Sequence, residues 1–205
     1  MGCKKDTVKI ESVKGTSFSN TESDYKYRFK NISKDYYFRK CNIWAEDSNG
    51  KIIKKKIDKT FHQPIVSVFQ RNFDSEGKDD LLVVTKYNVG KDSFAFYVIL
   101  SDENFETKEI FDATGSLEDC DYWLLTKDNN LIHLISQRDY SKPDNAVYKS
   151  RYKAEFYRFE KKNGKTEFKQ YRSLTTKREL DSLDDIKIAL GIDKEAVSLY
   201  DLKAR

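Results

Sequence analysis

Between Gln70 and Thr85 the chain carries its one local constellation with chemistry attached. Asn72, Asp74, Glu76, Lys78 and Asp80 alternate around Gly77, and four of the five bear a side-chain oxygen. A sharply folded loop can aim such oxygens at one hard cation, and calcium, which takes six to eight oxygen ligands, is the cation that suits them. The loop then runs straight into the apolar stretch Leu81-Leu-Val-Val84, which reads as a strand that would anchor it. An EF-hand is excluded by one position: counted from Asn72, the closing glutamate of that motif falls on Val83. The plain alternative is a polar hairpin, since Ser-Glu-Gly between two strands is ordinary turn chemistry.

Other reactive groups are sparse. The two histidines, His62 and His133, have no second histidine at i+3 or i+4 to build a metal face, and His133 sits inside Leu131-Ile-His-Leu-Ile, where a hydrogen-bonded strand histidine is expected. There is no Gly-x-Ser-x-Gly elbow and no glycine-rich phosphate loop. Acidic pairs such as Asp79-Asp80 and Asp184-Asp185 are plentiful, but glycosidase chemistry requires two carboxyls facing across a cleft, which spacing in sequence does not reveal. The reading is therefore of a protein that is not an enzyme.

The acidic loop resembles the calcium loop of FG-GAP and related β-propeller repeats, Asp-x-Asx-x-Asp-Gly-x-x-Asp followed by a hydrophobic strand. Asn72 stands where that family has Asp, and Glu76 is one methylene longer than its usual Asp. The resemblance implies a structural calcium ion and a blade-like unit around it.

A second resemblance is at Met1-Gly-Cys-Lys-Lys-Asp6, which is similar to the start of a mature bacterial lipoprotein, with Cys3 as the lipidated residue and a polar tether behind it. It implies a cell-envelope address, membrane attachment by the lipid alone, and an oxidising compartment in which Cys41 and Cys120 can pair. Eukaryotic Met-Gly-Cys dual acylation calls for Ser or Thr at position 6, where this chain has Asp6.

The elements that must position these residues read as strands. Residues 1–23 form a polar tether with a possible edge strand, and from Asp24 onward apolar residues recur with a period near two. Three units, 24–58, 65–112 and 121–172, each end in an aromatic strand, a polar turn and a charged strand, with Asn49, Asn104 and Asn163 at equivalent places. Their spacing suits a four-stranded meander. The expected fold is all-β: about three such units as a propeller-like or sandwich-like array. A helical segment over 180–205 follows, with a cap at Ser182-Leu-Asp-Asp185, a stop at Gly191 and a second short helix from Asp193 to Tyr200.

The chain's 38 basic and 34 acidic residues leave +4, and their mixing along the length argues against a nucleic-acid binder. The Lys54-Lys55-Lys56 run and the Lys161, Lys162, Lys165, Lys169, Arg172 group are local exceptions, and each reads as a solvated outer face. With aromatics at 14% and a mean hydropathy of -0.78, the remaining resource is surface for contact. The excursion from Gln137 to Arg151 combines Arg138, Tyr140, Tyr148 and Arg151 with the adjoining Tyr152, the composition of a protein-binding rim. The function expected is a non-catalytic envelope lipoprotein binding a protein partner, such as a periplasmic immunity or inhibitor protein. The alternative is a calcium-stabilised surface protein that binds or acts on carbohydrate.

Overall fold

The computed structural model describes residues 25–31, 39–61, 65–76, 79–86, 93–104, 107–116, 121–137 and 150–199. Cys3, Lys78, Cys120, Arg138, Tyr140 and Tyr148 lie outside these residues, and with them the proposed lipid anchor and the Cys41–Cys120 pairing.

The first sheet is β1 (Tyr25–Asn31), β2 (Arg39–Asp47) and β3 (Ile52–Phe61) in that order. The second is β4 (Ile65–Arg71), β5 (Asp80–Lys86), β6 (Ser93–Ser101) and β7 (Thr107–Ser116), again in chain order. The third contains β8 (Tyr122–Leu125), β9 (Leu131–Ser136), β10 (Tyr152–Lys162) and β11 (Lys165–Thr175), with β12 (Val197–Ser198) added beside β8. Among the described residues every pairing is antiparallel, and no sheet closes into a barrel. The result is an all-β stack of meanders with one short helix. Its first sheet has three strands where four were expected.

Turn chemistry fixes the hairpins. Between β2 and β3, Asp47 Oδ1 accepts from the N–H groups of Asn49 and Lys51 at 2.9 Å each, and Gly50 takes φ 78°. Between β10 and β11, Asn163 and Gly164 both have positive φ, 51° and 78°, the pair a tight turn needs to match the twist of its strands.

The second sheet is apolar on both faces. Leu82, Val84, Phe94, Phe96, Val98 and Leu100 form one face and pack with Trp123, Leu125 and Leu131 of the third sheet. Leu81, Val83, Ala95, Tyr97 and Ile99 form the other and are buried too. That double burial is why β5 and β6 read as unbroken apolar runs and not as alternation. Tyr25, on the buried side of β1, reaches this sheet: its hydroxyl accepts the N–H of Asp79 at 2.6 Å.

The far face of the third sheet, with Leu124, Ile132, Leu134, Tyr152, Ala154 and Phe156, packs on helix α1 (Leu183–Leu190) and its flanks through Leu180, Ile186, Leu190, Ile192 and Ala196. The cap is the one the sequence announces: Ser182 Oγ accepts from the Asp185 N–H at 3.1 Å, and Gly191 at φ 64° ends the helix. The second helix expected from Asp193 is absent. Asp193 starts a turn instead, accepting from Glu195 and Ala196, and β12 then pairs Val197 with Leu125 and Ser198 with Leu124. Helix would have left the β8 edge open and Leu199 outside the core, whereas the strand covers that edge and buries Leu199 completely.

Candidate functional site

The acidic turn connects β4 to β5 within the second sheet and touches the third. Asp80 opens β5 opposite Arg71, with its side chain fully buried. Its Oδ2 accepts the Phe73 N–H at 2.7 Å and its Oδ1 the Ser101 N–H at 2.8 Å. Burial pushes its carboxyl up to about 7, against the pull of those two amide donors. Asp74 folds the turn: Oδ1 accepts the Glu76 N–H at 3.0 Å across Ser75, whose φ is 61°. Asp74 Oδ2 is 2.9 Å from the Lys108 ammonium. Glu76 bonds Lys161 and lies 3.6 Å from Lys108, and the hydrogen bond from Lys161 holds its carboxyl below the usual range. The Asn72 carbonyl accepts from Asn129 Nδ2 at 2.8 Å, while Asn72 Oδ1 is buried without a hydrogen-bond partner among the described residues.

This donor set does not fit calcium. Both Asp80 oxygens are turned to backbone amides, and Asp74 and Glu76 already surround an ammonium group. Among the described residues no three His, Cys, Asp or Glu side chains are grouped to hold a metal ion. Among the described side chains of the set only the Asn72 amide oxygen is uncommitted, and a single neutral amide supplies far less than six to eight ligands. The loop acts mechanically, as a clasp. Besides the Glu76–Lys161 and Asn72–Asn129 contacts, Arg71 Nη1 reaches Asn129 Oδ1 at 3.3 Å, and the Phe73 ring meets Phe159 edge-on at 5.7 Å.

His133 is a strand histidine with a network around it. Register places it between Trp123 on β8 and Glu155 on β10. Its ring stacks on Trp123 at 4.3 Å and 7°, and Nε2 lies 2.5 Å from Asp121 Oδ1. Glu155 accepts from Lys153 Nζ at 2.5 Å and from the Tyr157 hydroxyl at 2.7 Å. Those two bonds hold Glu155 below its ordinary range, while burial and then Glu155 itself push the Tyr157 hydroxyl up to about 12. Among the described residues no serine, threonine or cysteine bonds His133.

Of the expected rim, Arg151 is exposed, but Tyr152 is 3% exposed and belongs to the core over α1. Strand alternation explains it: Tyr152, Ala154 and Phe156 share the inward face of β10. A different aromatic–cationic surface occurs farther along the same hairpin. Register passes from Phe156↔Arg172 to Tyr157↔Gln170, so Tyr171 is a bulged residue, 41% exposed. The Arg158 guanidinium lies 4.8 Å from the Tyr171 ring centroid, Arg172 lies 5.2 Å from that of Phe156, and the two rings meet at 6.2 Å. Composition marks this hairpin too: residues 152–175 hold seven basic and three acidic side chains, a net +4 equal to that of the whole chain, so the remainder is neutral. No protein-family model, no curated protein and no solved structure matches the chain.

Proposed function

We propose that this is a non-catalytic binding protein of the bacterial cell envelope that engages a protein partner, of the immunity or inhibitor kind, through the outer face of the β10–β11 hairpin. The observation that carries the reading is the exposed bulge at Tyr171, flanked by Arg158 and Arg172, on a hairpin that carries a net +4. Tyrosine and arginine dominate the energetics of protein interfaces, because each gives a large contact area with a polar handle. The envelope address rests on the lipoprotein-like Cys3 stretch, and palmitate incorporation lost in Cys3→Ala tests it.

A photo-crosslinking amino acid at position 171, expressed in the native host, should give a discrete protein adduct. The same group at Ile188, exposed on the helix, serves as the control. Absence of any adduct specific to position 171 would sink the reading.

A further inference from the structure

Building on the partner-binding reading, we infer that the partner presents an acidic, extended segment that adds as a strand to the outer edge of β11. In the third sheet β11 is a terminal strand, with β10 on one side and no strand on the other among the described residues. An edge of this kind presents a row of amide donors and carbonyl acceptors to an incoming chain. At eleven residues β11 matches β10 as the longest strand described.

Charge decides which chain is welcome. Within the hairpin, Lys153 is paired with Glu155, Arg158 and Lys169 with Glu160, and Lys161 with Glu76. Lys162, Lys165 and Arg172 have no ion-pair partner among the described residues, against one acid in the same state, Glu167. A second copy of this strand would meet like charge along its length and is repelled. An acidic strand is attracted and steered. Nucleic acid is disfavoured by number, since phosphate-led binding typically engages about six to ten cations and three are uncommitted here.

Edge lysines and a bulge also protect a sheet from aggregating, and protection alone would explain Lys165 and Lys169. It does not explain Tyr171. A guarded edge has no use for a bulged, 41% exposed aromatic ring with the Arg158 guanidinium over it, whereas a selective edge does, because the ring adds apolar contact for a strand that the charges have admitted.

The test uses the intact protein and a fluorescein-labelled peptide of about ten residues alternating Glu and Val, read by anisotropy at low and physiological salt. Binding to the wild type is expected, with affinity at least about tenfold lower for K165E/K169E/R172E, whose fold is checked by circular dichroism. A copy of the peptide N-methylated at alternate residues keeps its charge and loses its ladder donors, so it should not bind. Equal binding of the N-methylated peptide, equal binding of a Lys–Val peptide, or tighter binding of a single-stranded oligonucleotide would each overturn the inference. If the acidic peptide fails while the position 171 adduct persists, strand addition is refuted and the partner-binding reading stands. If the adduct is also missing, both fall.

Discussion

Replacing Asp80 by Asn separates the two forces acting on the most deeply buried carboxyl of the clasp. Desolvation favours the neutral acid, while the Phe73 and Ser101 amides, at 2.7 and 2.8 Å, favour the carboxylate, and the balance lifts the folded group from 3.8 to about 7. A folded acid with a raised pKa binds its proton more tightly than the unfolded chain does. Its contribution to stability is therefore complete below about pH 4 and is lost as pH rises through about 7. A gap of roughly three pH units at about 1.4 kcal/mol each amounts to roughly 4 kcal/mol. Asn is neutral at every pH and mimics the protonated acid, including the awkward donor facing a backbone N–H. Urea unfolding followed by circular dichroism should find wild type and Asp80→Asn close to parity near pH 4, with the variant increasingly the more stable toward pH 8. Asp80→Ala should be much weaker than Asn at acidic pH, because two buried amides lose their acceptor at about 1–3 kcal/mol each. If wild type gains on Asp80→Asn as pH rises, the amide donors outweigh desolvation and the reasoning is refuted.

Three further outcomes are expected. A methyl at Gly115 would lie 2.6 Å from the Phe94 ring and 3.2 Å from Trp123, so Gly115→Ala should lose about 1–3 kcal/mol in urea melts, and Phe94→Leu in the same chain should recover part of it. Lys108→Met strands Asp74, whose side chain is 2% exposed, and should destabilise by about 1–3 kcal/mol, whereas calcium and chelator should leave the wild-type melting temperature superimposed; a calcium-induced rise would overturn the ammonium-closed clasp. Leu199→Ala should lose about 2–4 kcal/mol, since Leu199 is fully buried in the core between the second and third sheets; a surface-like loss under about 0.5 kcal/mol would count against the docking of β12.

The all-β class was legible because strands announce themselves by period and turns by residue type. Asn49-Gly50 and Asn163-Gly164 stand at hairpins whose glycines are at φ 78°, and Ser182 with Gly191 brackets the helix. Leu81–Val84 and Phe94–Leu100 were legible as strands, but their burial on both faces comes from what stacks on them, which no local pattern records. Asp193–Leu199 failed for a related reason. Ala196 and Leu199 have helical spacing, yet the open edge of β8 was the stronger claimant, and it lies some seventy positions earlier in the chain. The acidic turn was legible as a turn into a strand, but its ion pairs were not, since Lys108 and Lys161 reach it from β7 and β10.

The clasp and the hairpin are two ends of one mechanical argument. Glu76 holds Lys161 and Phe73 holds Phe159, so the acidic turn grips β10 just before the turn into β11. Phe159 and Phe168 then pack on Phe111 at 5.1 and 6.0 Å, fastening the turn end of the hairpin to the second sheet. The neighbouring surface of the same two strands, from Arg158 across to Tyr171 and Arg172, is thereby set on a fastened support. Preorganisation of this sort lowers the entropy lost on binding, because the aromatic and its two guanidinium neighbours are already placed. Loosening the clasp should consequently weaken partner engagement without touching the contact surface. Glu76→Gln retains the size of the side chain and removes its ion pairs, and it is expected to lower the yield of the adduct at position 171 while leaving Tyr171 and both arginines in place. An unchanged yield would mean that the hairpin is stiff on its own and that the clasp serves stability alone.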